Sequence, residues 1–192
     1  MNNIAIFASG SGTNAQTIAE YFQKTGKKNI RLILSNKSDA YVLKRSEKLK
    51  IPAIVFNREQ FYHTSYVVDI LNKYSINWIV LAGFLWLIPD NILKLFPNKI
   101  VNIHPALLPK YGGAGMYGNK VHEAVVANKE KESGITIHYV NDKYDQGTII
   151  FQAKCSISPN DSPEDVAAKV HTLEYKYYPV IIEKLVEGNT VP

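Results

Sequence analysis

The chain has 192 residues, of which 46% are hydrophobic and 20% are charged, with a formal net charge of +5. This length suits one α/β domain, and the balanced composition excludes disordered and fibrous proteins. The modest positive charge fits an anionic small molecule as well as nucleic acid, so it does not choose between them. The single cysteine, Cys155, excludes an internal disulfide framework and fits a reducing compartment.

No segment has the character of a targeting signal or a membrane span. The apolar stretch at residues 4–8 is too short for the core of a signal peptide. The longest apolar run, residues 78–88, ends at Pro89 and is about half as long as the ~20 residues that cross a bilayer. We therefore predict a cytoplasmic protein without a membrane partner.

Short apolar runs alternate with helical patterns in the first half of the chain. The predicted strands are residues 4–8, 30–34, 53–56, 77–81 and 99–103, and the predicted helices are residues 13–22, 41–49 and 58–74. Four apolar residues of the last of these helices are expected to face the sheet: Phe61, Val67, Val68 and Leu71. The alternation predicts an α/β fold, with an open, mostly parallel, twisted sheet and helices on both faces.

The second half departs from this alternation. After a predicted helix at residues 121–128, two longer strand-like runs at 134–140 and 148–157 predict an antiparallel excursion. The last helix has clear boundaries, with Ser162 as N-cap, Pro163 at its first position and Gly188 after its end at about Glu187. Since no linker or repeat interrupts the chain, we predict a single domain over residues 1–192.

The first chemical signal is the small-residue segment ASGSGTNA, residues 8–15, between a strand and a helix. Its backbone can approach a ligand closely, and the helix N-terminus offers unpaired N–H groups to an anion. The spacing also fits a dinucleotide fingerprint, but the second strand ends Ser35-Asn36-Lys37, without the acidic residue that holds the ribose of a nicotinamide cofactor. We expect phosphate binding; a tight turn without a ligand is the alternative.

The second signal is the segment NIHPALLP, residues 102–109, at the carboxyl end of a predicted strand. Open α/β sheets bind their ligands at that end, and side chains two apart on a strand point to one side. An amide and an imidazole side by side, here Asn102 and His104, suit stabilisation of a tetrahedral oxyanion. The same pair could also simply cap the next turn.

The third signal is a pair of acidic residues, Asp142 and Asp145, between the last two predicted strands. A carboxylate near an imidazole can orient it or accept its proton, although aspartates in such loops are commonly turn formers. Spacing alone does not tell which of the two is catalytic. The remaining histidines lack the spacing of metal ligands, so no metal site is predicted.

Together these segments resemble the glycinamide ribonucleotide transformylase family over nearly the whole chain. The similar motifs are SGSGTN at residues 9–14, VLAGF at 80–84, NIHP with LLPKY at 102–111, and Asp145-x-Gly147 followed by Ile149-Ile150-x-Gln152. The resemblance implies three catalytic residues, Asn102, His104 and Asp145, and so prefers Asp145 to Asp142. It implies phosphoribosyl binding by Gly12, Thr13, Asn14 and Glu174. It implies folate binding by Arg58 and by the backbone around Leu85, Trp86, Leu87 and Ile88, with Asn102 beside the formyl group.

The family resemblance also implies a Rossmann-like formyltransferase fold, with a phosphate-binding half at residues 1–100 and a catalytic, folate-binding half at 101–192. The implied reaction moves the formyl group of the co-substrate 10-formyltetrahydrofolate to the amine of 5-phosphoribosylglycinamide in purine synthesis. Transfer would be direct, without a covalent enzyme intermediate or a metal. The implied partners are small molecules and not nucleic acid, and the protein would be a monomer or homodimer.

Two segments differ from the pattern of many members. Leu85 and Trp86 stand where an arginine often follows the AGFM-like stretch, and GGAGMYG at residues 112–118 replaces an expected Pro-Gly-Leu. We therefore expect different side-chain contacts to the pterin and a different loop shape, whereas backbone contacts need not change.

Three other functions compete with this interpretation. Formyltetrahydrofolate deformylase has an additional N-terminal regulatory domain, and methionyl-tRNA formyltransferase adds a C-terminal β-barrel. The length of this chain and its Ser-Gly-Ser-Gly loop at residues 9–12 argue against both. A non-catalytic nucleotide-binding module would need the loop at residues 8–15 but not Asn102, His104 and Asp145.

Overall fold

The computed structural model describes residues 2–27 and 29–191, which form seven strands and seven helices. The strands make one sheet in the order β3-β2-β1-β4-β5-β6-β7. They are β1 (Asn3–Phe7), β2 (Ile30–Ser35), β3 (Ala53–Val55), β4 (Ile76–Leu81), β5 (Ile100–His104), β6 (Glu132–Tyr139) and β7 (Ile149–Ser156). The helices are α1 (Thr13–Lys24), α2 (Val42–Leu49), α3 (Arg58–Tyr62), α4 (Tyr66–Lys73), α5 (Asp90–Leu95), α6 (Asn119–Ala127) and α7 (Pro163–Glu187).

The sheet is parallel from β3 to β5 and antiparallel from β5 to β7, as the sequence predicts. β1 pairs with β2 on one side and with β4 on the other, so the strand order reverses at β1. In open α/β sheets a crevice forms outside the carboxyl ends of the strands at such a reversal. This topology positions the functional site.

Side chains of the central strands are buried on both faces of the sheet. In β1, Ile4 and Ile6 pack into one core with α1, α6 and α7, whereas Ala5 and Phe7 pack into a second core with α3, α4 and α5. Successive strand residues point to opposite faces, so a strand covered on both faces is apolar at every position. None of the helices in the described part of the chain has both the length and the apolar character needed to cross a bilayer.

The structure corrects the sequence prediction in two helical regions. The predicted helix at 58–74 is two helices, α3 and α4, separated by residues 63–65. Asn57 starts α3 with a capping box to Gln60, and α3 ends at Tyr62, whereas Ser65 precedes α4. Phe61, Val67 and Leu71 are buried as predicted, but Val68 is only half-buried.

Helix α5 follows Pro89 and was not predicted, because its six residues are too few to show a helical period. The boundaries of α7 agree with the prediction. Ser162 and Asp165 form a reciprocal capping box, Pro163 is the first helical residue, and Gly188 ends the helix in the left-handed conformation.

Candidate active site

A cleft of about 560 Å³ opens at the carboxyl ends of β1, β4 and β5, where the strand order reverses. It is lined by residues 9–14, 81–88, 102–105 and 113–118, and by side chains from later elements, among them His122, His138, Asp145, His171 and Glu174. The three chemical signals of the sequence therefore meet in one cavity. Its position agrees with the general rule for ligand sites in open α/β sheets.

The loop at residues 9–14 lines the cleft. Gly12 is the N-cap of α1 in the left-handed conformation, and the first turn of α1 carries no acidic side chain. A Cβ on Gly12 would lie 2.4 Å from Val42 Cγ2, so the loop and α2 approach closely only because residue 12 is glycine. Arg45 of α2 supports the loop by donating a hydrogen bond from Nε to the Ser11 carbonyl at 2.7 Å. The result is a helix N-terminus that is open to an anion.

Asn14 and Glu174 meet beside this loop. Asn14 Nδ2 donates to Glu174 Oε2 at 2.9 Å, and His171 Nδ1 lies 2.8 Å from the same oxygen. The hydrogen bond to Glu174 raises the pKa of His171, because it outweighs the opposing effect of burial. Glu174 is only 4% exposed. Its carboxyl group is therefore buried against the imidazole of His171 at the wall of the cleft.

Asn102, His104 and Asp145 converge in the cleft. Asn102 and His104 lie at the end of β5, and Asp145 comes from the loop between β6 and β7. His104 Nδ1 lies 3.4 Å from Asp145 Oδ2. Asp142, the alternative that the residue pattern left open, is exposed to solvent in the same loop and is not among the cleft-lining residues.

Backbone groups of residues 111–113 hold both members of the His104–Asp145 pair. His104 Nε2 lies 2.7 Å from the carbonyl of Tyr111, which can only accept a hydrogen bond, so Nε2 carries a proton. The Gly113 N–H donates to Asp145 Oδ2 at 2.9 Å. The remaining nitrogen of His104, Nδ1, therefore faces the carboxylate.

The two members of the pair have pKa values set by opposing effects. Burial lowers the pKa of His104, and the negative charge of Asp145 offsets this only in part. Burial acts to raise the pKa of Asp145, but the neighbouring His138, His104 and the Gly113 N–H together outweigh burial and lower it. Asp145 is therefore a carboxylate at neutral pH, beside a largely neutral imidazole.

His138 is part of the site although the sequence did not single it out. Its Nε2 lies 3.1 Å from Asn102 Nδ2 and 3.6 Å from Asp145 Oδ1, and its Nδ1 donates to the Tyr139 carbonyl at 2.8 Å. With Nδ1 protonated, Nε2 accepts from the Asn102 amide and so fixes which way that amide points. Asn102 and His138 are neighbours because they lie opposite each other in the pairing of β5 with β6. A single sequence does not reveal this pairing.

Residues 84–88 form an apolar wall of the same cleft. The Trp86 ring packs 5.9 to 6.4 Å from the rings of Phe56, Phe61, Tyr62 and Phe84, and the Arg58 guanidinium lies 5.8 Å from its centroid. Arg58 itself is outside the cleft lining. Two backbone groups of the wall already have protein partners, since the Leu85 N–H donates to Ser9 Oγ and the Leu87 carbonyl accepts from the Tyr62 hydroxyl.

Residues 113–118 also line the cleft. Gly113, Gly115 and Gly118 have positive φ angles, which side-chain-bearing residues rarely adopt. The Lys120 ammonium lies 4.9 Å from the centre of the Tyr117 ring. In residues 2–27 and 29–191, no group of three His, Cys, Asp or Glu side chains is arranged to hold a metal ion.

The fold and the cleft define an α/β protein in which a helix N-terminus open to an anion and an Asn-His-Asp group line one cleft. Comparison with known proteins identifies the family. The family model described as formyl transferase matches residues 2–182.

Relatives and solved structures agree with that match. The chain is 39% identical to a chloroplastic phosphoribosylglycinamide formyltransferase of Arabidopsis thaliana, over 96% of this chain and 65% of the relative. It is 38% identical to the Haemophilus influenzae phosphoribosylglycinamide formyltransferase, over 98% of this chain and 89% of the relative. Glycinamide ribonucleotide transformylase 1 of Symbiobacterium toebii superimposes with a TM-score of 0.87 at 30% identity, covering 98% of this chain and 89% of that one. The chain belongs to the formyl transferase family of enzymes, and the resemblance drawn from its motifs is confirmed.

Proposed function

We propose that this chain transfers the formyl group of 10-formyltetrahydrofolate to the amine of 5-phosphoribosylglycinamide, a step of purine synthesis. The observation that carries the proposal is one cleft whose lining combines a helix N-terminus open to an anion, an Asn-His-Asp group and an apolar wall. The relatives named phosphoribosylglycinamide formyltransferase support the same substrate.

Gly12, Thr13 and Asn14 bind the substrate phosphate in this proposal. The N–H groups of the first turn of α1 have no partners within the helix, and the helix dipole adds a partial positive charge. Glu174, which accepts a hydrogen bond from Asn14, binds the sugar of the substrate. The reacting amine would then point from this loop toward Asn102 and His104.

The apolar wall of Leu85, Trp86, Leu87 and Ile88 suits the flat heterocycle of the folate. Aromatic and aliphatic side chains bind such a ring by contact area, while a few polar groups fix its orientation. Because Leu85 N–H and the Leu87 carbonyl already have protein partners, the remaining backbone groups of this segment would meet the pterin. Arg58 would contribute from the outer side of Trp86.

The chemistry needs stabilisation of an oxyanion and movement of one proton. The amine attacks the formyl carbon, the bond to the folate nitrogen breaks, and the proton lost by the amine is gained by that nitrogen. Asn102 donates its free amide hydrogen to the developing oxyanion, and His104, when its Nδ1 takes up a proton, adds a positive charge beside it. Asp145, a carboxylate at neutral pH, stabilises His104 in its protonated form and accepts the proton through water.

A turnover assay with 10-formyltetrahydrofolate tests the proposal against its rivals. With phosphoribosylglycinamide present we expect formylated amine and free tetrahydrofolate in equal amounts. Release of formate without the amine would identify a hydrolase, and formylation of methionyl-tRNA would identify another transferase of the family. Binding of the ribonucleotide without any product would indicate a non-catalytic module.

A further inference from the structure

His122 is a buried histidine of the cleft to which the proposed reaction gives no role. It lies on α6, is 2% exposed, and lines the cavity. Its Nδ1 is fully buried without a hydrogen-bond partner among the residues that the structure describes, and the same is true of Asn14 Oδ1. Buried polar atoms are nearly always paired, and a ligand in the cleft would supply the partners that these two atoms lack.

These atoms belong to one corner of the cleft, beside the loop at residues 9–14. The His122 ring lies 6.4 Å from the His171 ring at an interplanar angle of 74°, and His171 contacts Glu174. Glu174 in turn accepts from Asn14 in the first turn of α1. Burial, together with the nearby charge of His171, lowers the pKa of His122. At neutral pH it therefore has one N–H donor and one acceptor nitrogen.

The chemistry of the corner selects a ligand that carries hydroxyl groups. Asn14 Oδ1 and the Glu174 carboxylate only accept hydrogen bonds, and both bonds to Glu174 end on Oε2, so Oε1 receives neither. An anion here would be repelled by the carboxylate, and an apolar group would leave the acceptors unpaired. Two adjacent hydroxyls supply two donors, and their oxygens can also pair with His122.

We propose that His122 is a sugar-binding residue that shares the two ring hydroxyls of the phosphoribosyl substrate with Asn14 and Glu174. This inference rests on the proposed function, since it takes the ligand to be a ribosylated amine. It gives the cleft a means of distinguishing ribose from deoxyribose, because a sugar that lacks one hydroxyl leaves a buried polar atom unpaired.

The test combines a change in the protein with a change in the sugar. Phosphoribosylglycinamide and its 2-deoxy and 3-deoxy sugar analogues are titrated calorimetrically into the wild type, His122→Phe and His122→Gln. Phe keeps a ring of similar size without its nitrogens, and Gln restores polar atoms. His63→Phe is the matched control, because His63 is exposed and outside the cleft. Thermal melting confirms that each variant folds.

We expect His122→Phe to weaken binding of the ribose compound about tenfold, which is the size of one hydrogen bond. For one of the two deoxy analogues, binding to His122→Phe should be almost the same as binding to the wild type, because the hydroxyl that contacts His122 is already missing from that analogue. His122→Gln should recover part of the loss, and the KM for the folate should stay the same. An equal loss for all three sugars, or unchanged binding of the ribose compound, would overturn the proposed contact.

Failure of the sugar contact is distinguishable from failure of the proposed function. If the wild type formylates the ribonucleotide and His122→Phe binds it normally, only the contact is wrong. If the wild type binds the ribonucleotide through His122 but forms no formylated product, only the transfer is wrong. A wild type that does not bind the ribonucleotide overturns both.

Discussion

His104 Nδ1 lies 3.4 Å from Asp145 Oδ2, although one residue ends β5 and the other lies in the loop between β6 and β7. A glycine makes this approach possible. A Cβ on Gly147 would lie 1.6 Å from the Tyr139 carbonyl oxygen, so no other residue would let the loop return so closely past the end of β6. Asp145 itself has a φ of 56°, which an aspartate tolerates better than most residues. The acid–base pair is thus a product of loop geometry.

Removal of the proposed catalytic groups should reduce turnover strongly. Loss of one oxyanion donor costs about 10²–10³ in kcat, and loss of acid–base assistance costs about 10²–10⁴. We expect Asn102→Ala, His104→Ala and Asp145→Asn each to lower kcat in these ranges, with ribonucleotide binding within a few-fold of the wild type. Combined variants should lose less than the product of the single effects, because the groups act on one transition state.

Asp142→Asn is the control for these variants, because Asp142 is an exposed aspartate of the same loop. Its kcat should equal that of the wild type. A crippled Asp142→Asn beside a normal Asp145→Asn would show that the wrong aspartate has been assigned. Full turnover in all of these variants would show that the catalytic residues have been wrongly assigned.

The pKa of His104 should report directly on Asp145. Burial lowers this pKa, and the carboxylate of Asp145 is the main influence that raises it. Removal of the negative charge in Asp145→Asn takes away the stabilisation of the protonated imidazole, so the His104 pKa should fall further. NMR titration of the ring measures the shift, with His104→Gln to assign the signal and Asp142→Asn as the control. A higher pKa in Asp145→Asn would contradict the structure.

A side chain at position 12 should impair ribonucleotide binding. Gly12 has a φ of 72°, and an added Cβ would lie 2.4 Å from Val42 Cγ2, so Gly12→Ala must displace the loop at residues 9–14. We expect the KM for the ribonucleotide to rise far more than the KM for the folate in steady-state kinetics.

Gly26→Ala is the matched control for the loop. Gly26 has a φ of 73°, but an added Cβ there would meet nothing within 4 Å. The Gly26→Ala variant therefore has the same backbone strain as Gly12→Ala, about 1 kcal/mol, without the clash with Val42. Both variants should lose stability, and only Gly12→Ala should change the KM. An equal rise for both substrates in Gly12→Ala would argue against phosphate binding by this loop.

Folate analogues should quench the fluorescence of Trp86. The Trp86 side chain is half-buried in the apolar wall of the cleft, whereas Trp78 is 9% exposed within β4. The Trp86→Phe variant should lose most of the quenching on titration with a folate analogue, and Trp78→Phe should retain it. Quenching that persists in Trp86→Phe would place the heterocycle away from this wall.

The sequence by itself determined the elements whose signals are local. The N-cap residue Ser162, the proline at the first position of α7 and the glycine after its end act within a few residues, so they predict that helix correctly. The glycine-rich turn before α1 and the alternation of apolar runs with helical patterns likewise predict the loop and the mostly parallel sheet. The break between α3 and α4 and the short helix α5 were missed, because each spans too few residues to show in a periodic pattern.

Tertiary structure alone decided which distant groups meet. The residues did not distinguish Asp142 from Asp145, and only the folded loop brings Asp145 to His104 and leaves Asp142 in solvent. The contact of His138 with Asn102 depends on the register of β5 against β6, and the corner at His122 depends on how α6 and α7 pack beside α1. Such contacts join residues far apart in the chain. They are fixed by burial and strand pairing over the whole fold, which leave no short-range pattern in the sequence.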